Sequence, residues 1–174
     1  MRPVLISIVL AAAIAAPAAA EVSATGANGL ATHDEAVVAA SPADSWIALT
    51  DPAGWWNPEH SWSGNSANMT LYPVAGGCFC EELPESGGSV EHMRVIYAEP
   101  EKLLRLSGAL GPLQSEALTG TLTVTLEPAG SGTRISWDYV VGGFSRFDLA
   151  ALAPTIDGVQ SEQLGRLAGK LGRQ

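Results

Sequence analysis

The chain has 174 residues, long enough for one domain with a real core and too short for two comfortable ones. Lys and Arg number 9 against 18 Asp and Glu, a formal net charge of −9, and no basic run occurs. That balance excludes nucleic acid and anionic membrane surfaces as partners, since both need clustered Lys and Arg.

The first twenty residues read as a secretory signal peptide. Arg2 gives a short positive start, Val4 to Ala16 an apolar run, and Ala18-Ala19-Ala20 a small-residue cleavage site. The run is too short for a membrane span, which takes about 20 residues. Cleavage before Glu21 leaves 154 residues and removes Arg2, so the charge moves to −10. The expected location is periplasmic or secreted, with residues 21–174 forming a single domain. Glu21 to Gly29 is small and polar and reads as a loose lead-in. Thr32 to Ala40 is a first strand. Ser41-Pro42 then opens a helix, Ser as N-cap and Pro at the first helical position. Trp46, Ile47 and Leu49 give it an apolar side, and Asp51-Pro52 stops it. Four of the five tryptophans fall between positions 46 and 62, as core or as an aromatic wall for an apolar ligand.

Six strands are predicted next: Asn68–Tyr72, Cys78–Leu83, Val90–Ala98, Leu103–Gly108, Leu118–Glu127 and Arg134–Val141. Leu118–Glu127 alternates cleanly, with Leu118, Gly120, Leu122, Val124 and Leu126 on one face and threonines on the other. Ile135, Trp137, Tyr139 and Val141 share the inward face of the last strand. From Asp148, apolar residues recur at Leu149, Leu152, Ile156, Val159, Leu164, Leu167 and Leu171, the stripe of a long amphipathic helix. Asp148 caps it, and Pro154 predicts a short first turn followed by a kink or restart. Asp157, Glu162 and Gln163 fall on its solvated side. Helices segregated from an antiparallel sheet make an α+β fold.

Three patches carry a family resemblance: Ser41-Pro42 through Trp46 and Leu49 to Trp56; Gly76-Gly77 with Cys78-Phe79-Cys80-Glu81, then Val95 to Pro100 and Leu103-Leu104; and Gly132-Thr133-Arg134 followed by the terminal helix. Together they resemble the START-like, or SRPBCC, superfamily, in the branch of polyketide cyclase-like proteins and homologues of a chaperone ATPase activator. The resemblance implies the helix-grip fold, a curved antiparallel sheet wrapped around a long C-terminal helix, and a deep cavity for hydrophobic or amphipathic ligands.

No assembled catalytic set is legible, and no phosphate loop, dinucleotide fingerprint or nucleophile elbow occurs. No cofactor or metal is called for. Cys78 and Cys80 in a regular strand would stand about 6.6 Å apart at Cα. Two buried free thiols are the leading reading, with a local disulfide if the strand bends and an intermolecular or metal role as alternatives. Pairing across a loop of Glu85 to Gly88 sets Cys80 against Met93 and Cys78 against Val95, with Tyr97 on the same apolar face. Phe79, Glu81, His92 and Arg94 then take the opposite face, and His92 points outward beside Glu81. A loop longer by one residue would instead put His92 against Cys80. The expected function is binding of a small hydrophobic molecule without transforming it, in a cavity lined by Trp56, Met93, Tyr97, Trp137 and Tyr139, with His92 as a further candidate. The alternative is a cyclase or dehydratase using His92 or Tyr139 with bound water as acid and base.

Overall fold

A computed structural model describes residues 21–174. The proposed signal peptide lies outside the described residues. Eight antiparallel strands form one sheet in the order β1-β2-β8-β7-β6-β5-β4-β3. They are β1 (Glu21–Gly26), β2 (Gly29–Val38), β3 (Met69–Leu71), β4 (Cys78–Leu83), β5 (Gly88–Glu99), β6 (Leu103–Ser107), β7 (Ala117–Ala129) and β8 (Gly132–Phe144). Helix α1 (Pro42–Leu49) follows β2, and α2 (Leu149–Lys170) closes the chain against β2 and β1. The sheet curves about α2, the helix-grip arrangement.

Most element boundaries follow the local chemistry. Ser41 accepts a hydrogen bond from the Asp44 N–H, and Asp148 accepts from the Ala150 and Ala151 N–H groups, so both caps are made as expected. Gly120, Leu122, Val124 and Leu126 of β7 and Ile135, Trp137, Tyr139 and Val141 of β8 face the core. Three expectations fail. Glu21–Gly26 is a strand rather than a lead-in, because β2 offers it a free edge and pairs Glu21 with His33 and Gly26 with Gly29. Pro154 does not break α2: it lies on the exposed side, and Ala150, whose carbonyl loses its donor, is exposed as well. Nor does Ile47 pack, being 67% exposed; Ser45, Ala48 and Leu49 form the buried side of α1.

The stripe of α2 is also not the one its leucines outline. Leu149, Ala153, Leu164, Leu167 and Ala168 are buried, but so are Asp157, Gln160 and Gln163. Asp157 and Gln163 thus belong to the interface, not the solvated side. Asp157 meets a polar row of β2, where Thr32 and Asp34 are also buried. One oxygen of each aspartate and the Thr32 hydroxyl have no hydrogen-bond partner among the described residues. Burial pushes the Asp34 carboxyl up to about 6; the Ser161 hydroxyl and His33 oppose the rise and Asp157 adds to it. Burial raises Asp157 as well, with Glu21 adding to it.

A raised carboxylate favours the folded chain below its unfolded value, 3.8, and that contribution is lost as pH rises through about 6. Asp34→Asn is therefore expected to match the parent near pH 4 and to exceed it in urea-unfolding stability above pH 6, by about 1–3 kcal/mol. Equal pH dependence in the two proteins would show that Asp34 is ionised in the fold.

Candidate functional site

The tryptophan segment is held against the C-terminal half of α2 by polar contacts that the sequence pattern does not announce. The Asn57 backbone N–H donates to Gln163 Oε1 at 3.0 Å, the Asn57 side chain to Glu162, and Arg166 Nε to the Trp55 carbonyl at 2.7 Å. His60 Nε2 lies 3.0 Å from Glu162. Glu162 is exposed, as expected, and serves there as a clamp on Asn57 and His60. Trp55 donates its Nε1–H to the Ala48 carbonyl at 2.9 Å and stacks edge-on against Trp137, with ring centres 6.1 Å apart. Trp56 leans toward Phe79, ring centres 5.2 Å apart, and donates to the His60 carbonyl.

The clamp grips only that half; the N-terminal half of α2 packs through Leu149, Ala153 and Asp157 and leaves its other flank open. A pocket of about 520 Å³ opens there. Its helix wall is Leu152, Thr155, Ile156, Val159 and Gln160. Trp56 and Trp62 stand on one side, Leu110 to Leu113 on the other, with Phe147 at the start of the helix. The volume lies in the ordinary range for small-molecule sites. Glu59, His60, Ser61 and Thr155 also border it, and the buried polar side chains of the lining are His92, Tyr139 and Gln160. Gln160 is fixed by accepting from Trp137 Nε1 at 2.8 Å. The Tyr139 hydroxyl accepts from the Leu110 N–H at 3.3 Å, which leaves its own proton to give. Burial pushes that hydroxyl up to about 12, so it stays a donor. Gly120 lies beneath the ring: a Cβ there would come within 2.8 Å of Tyr139 Cε2 and its hydroxyl.

His92 and Glu81 form a buried pair, 3% and 0% exposed at the side chain, with Nε2 2.9 Å from Oε2. Glu81 also accepts from the Trp62 and Ser63 N–H groups. Burial alone would raise its carboxyl; the hydrogen bonds from Ser63, Trp62 and His92 together outweigh it and hold Glu81 below the usual range. An ionised carboxylate only accepts, so Nε2 of His92 donates and Nδ1 is left as the ring's acceptor. Burial lowers the His92 imidazole more than Glu81 raises it, so the ring is neutral near pH 7.

The predicted lining divides. Trp56, Tyr139 and His92 border the pocket. Met93 and Trp137 are core residues behind it, each 1% exposed. Tyr97 is 46% exposed, with its hydroxyl toward Glu99 and Arg105 beyond its ring, so it is off the site. The expected hairpin register fails first at the turn, where Leu83 pairs with Gly88 and the loop is Pro84 to Gly87, and side-chain faces then change at two bulges in β5. Phe79 pairs with Met93 but Cys80 pairs with Glu91, so His92 is an extra residue that turns inward together with Met93. Val95 pairs with Leu106 but Tyr97 pairs with Arg105, so Ile96 is extra and Tyr97 turns outward. Phe79 and Glu81 consequently face inward, and the cysteines face out, half-buried. They are not free thiols: Cys78 and Cys80 are joined by a disulfide, with Cα atoms 5.4 Å apart. Of the missed site residues, Gln160 and Gln163 carried a faint signal, being spaced three apart along the helix with Asp157, whereas Glu81 on β4 and Glu162 carried none.

Residues 29–172 match the family described as polyketide cyclase / dehydrase and lipid transport. The chain belongs to that family and to the SRPBCC superfamily. No curated protein matches it by sequence. Among solved structures it is similar to the protein Mll3558 from Rhizobium loti, at 22% identity and a TM-score of 0.61 over 82% of this chain and 97% of that one. The protein MLL2253 from Mesorhizobium loti is similar at 22% identity and a TM-score of 0.56, over 80% and 94% of the two chains. DynU16, a putative protein in the dynemicin biosynthetic locus, is similar at 19% identity and a TM-score of 0.55, over 80% of this chain and 46% of that one. At these identities the likeness is one of fold. Family membership and fold together carry hydrophobic small-molecule binding as the general property.

Imidazole NMR should place the His92 midpoint below 6.5 and that of His33, raised chiefly by its hydrogen bond to Asp138, above it. A depressed histidine favours the fold above its unfolded value, and that contribution is lost as pH falls through the folded one. Glu81→Gln should lower the His92 midpoint further, since the charge that raises it is gone, and cost about 2–4 kcal/mol in urea unfolding. A His92 midpoint that stays put in the variant would break the pair.

Proposed function

We propose that the protein is an exported carrier that binds a small hydrophobic molecule bearing one polar end, without transforming it. The observation that carries the reading is the apolar run Leu152, Ile156 and Val159 on α2. It faces open pocket rather than sheet, while the same helix is buried to either side. Removing such a surface from water favours a bound ligand by about 25 cal/mol per Å² before the costs of association. Tyr139 would donate to the polar end, and Trp56 and Trp62 would cover the apolar body. Export rests on the first twenty residues.

A second reading, acid–base catalysis on the bound molecule, has one observation in its favour: the Glu81–His92 pair facing the pocket. Nδ1 of neutral His92 would take a proton from a carbon next to a carbonyl that accepts from Tyr139. The same proton would pass to a departing hydroxyl, which leaves as water.

The protein, recovered from the exported fraction of an expressing bacterium without denaturation, is expected to begin at Glu21 and to release a hydrophobic compound of defined mass in stoichiometric amount. Binding of that compound should weaken about tenfold in Tyr139→Phe and in Ile156→Asp, and stay unchanged in Tyr97→Ala. Failure of a broad screen of lipids, polyketides and aromatics to leave any retained species would overturn the binding reading. Recovery of the compound chemically altered, with His92→Gln abolishing the change, would replace it by the catalytic one.

A further inference from the structure

The disulfide and the pocket histidine lie on opposite faces of the sheet at the same step of the same strand pair. Across β4 and β5 the register jumps between Phe79 and Cys80, and His92 is the residue left without a partner. The Cys78–Cys80 bridge spans that step. It draws the two Cα atoms to 5.4 Å, where an extended strand would hold them about 6.6 Å apart. One strand is shortened by about 1 Å where its neighbour is lengthened by one residue. A bulge needs that mismatch to persist. Bridging a loop of three residues removes little entropy from the unfolded chain, so the bond's effect is local geometry rather than global stability. Both sulfurs sit on the outer face, half-buried, with Arg94 opposite Cys78 and Glu91 and Thr70 flanking Cys80 in register. A disulfide that keeps some contact with solvent is open to exchange.

We propose that Cys78 and Cys80 form a reversible dithiol/disulfide site, and that reduction by a dithiol withdraws His92 from the pocket. This rests on the pocket being the functional site, and it concerns how that site is regulated. One thiolate of the dithiol attacks a sulfur of the bridge and forms a mixed disulfide. Its second thiolate resolves that bond, leaving two cysteine thiols and one oxidised, cyclic dithiol. Two electrons and two protons pass to the protein. With the bridge open, β4 regains full extension, and continued pairing sets Cys80 opposite His92. Alternation then puts His92 on the outer face with Cys80, while Glu81 stays inward on the Trp62 and Ser63 N–H groups. The pocket loses its imidazole and keeps Tyr139 and Gln160.

The test uses ligand-free protein, so that a failed ligand search and a failed switch are separate results. Excess dithiothreitol is added to the folded protein. The His92 imidazole midpoint and its rate of modification by diethyl pyrocarbonate are followed, with His33 on β2 as the internal control. On reduction the His92 midpoint is expected to rise toward 6.5, and its modification to quicken about tenfold. His33 should be unchanged, and reoxidation should restore both. A Cys78→Ser/Cys80→Ser double variant should behave as reduced protein without any reductant. The wild-type arm decides even if that variant does not fold. Reduced protein with His92 as slow to react as before would overturn the proposal. So would loss of the circular-dichroism signal of the whole fold on reduction, since the bridge would then be a structural staple.

Discussion

Strand β5 is longer by two residues than its neighbours can pair, and the inner wall of the protein depends on where those two residues fall. In a regular strand each side chain's face is decided by parity, so one extra residue reverses every assignment beyond it. The bulge at His92 brings an imidazole and Met93 inward side by side, against a β4 that presents Phe79 and Glu81. The bulge at Ile96 restores the parity and sends Tyr97 to solvent. Glu81 can remain ionised at full burial because three donors converge on it, and the bulge delivers one of the three.

The second constraint is how α2 is held. Its C-terminal half is fixed by directional contacts, from Asn57 to Gln163 and Glu162 and from Arg166 to the Trp55 carbonyl. Beyond the helix, the chain end returns to β2, where Val38 bridges Arg173 and the Ala39 N–H donates to the Gly172 carbonyl. The N-terminal half has its cap at Asp148 and a buried polar contact with Thr32 and Asp34 on one flank, and open pocket on the other. A helix clamped at one end and packed along a single flank at the other leaves room along its open flank. The glycines at 158, 165 and 169 are not there for close approach, since a Cβ at each would meet nothing within 4 Å. They weaken the helix on propensity alone, so packing and clamp must hold it.

Family membership and fold point to hydrophobic ligands in general, and the pocket of this chain adds detail of its own. Its apolar wall comes from a helix flank, and its polar tips from three different supports: a carboxylate behind His92, a backbone N–H behind Tyr139, and an indole behind Gln160. Each tip is already hydrogen-bonded within the protein, so each is positioned before any ligand arrives.

Periodicity and caps determined by themselves most of the elements and the α+β class. Strict alternation in β7 and β8 named their core faces correctly, and Ser41-Pro42 and Asp148 marked both helix starts, because these signals are local: they depend on neighbours within one turn or one pleat. Trp56, Tyr139 and His92 were legible as pocket residues by type, although His92 was assigned to the wrong face. What only the tertiary structure decided was everything that depends on parity or on a distant partner. The bulges of β5 reverse the faces of His92 and Tyr97 without any glycine or proline to announce them. The bridge between Cys78 and Cys80 needs a contraction of β4 that a regular strand does not have. Asp157, Glu162 and Gln163 look like a solvated face until β2 and the tryptophan segment arrive to bury or bind them. Burial is a property of the assembled sheet and helix, and no spacing along the chain encodes which polar residues will find a partner there.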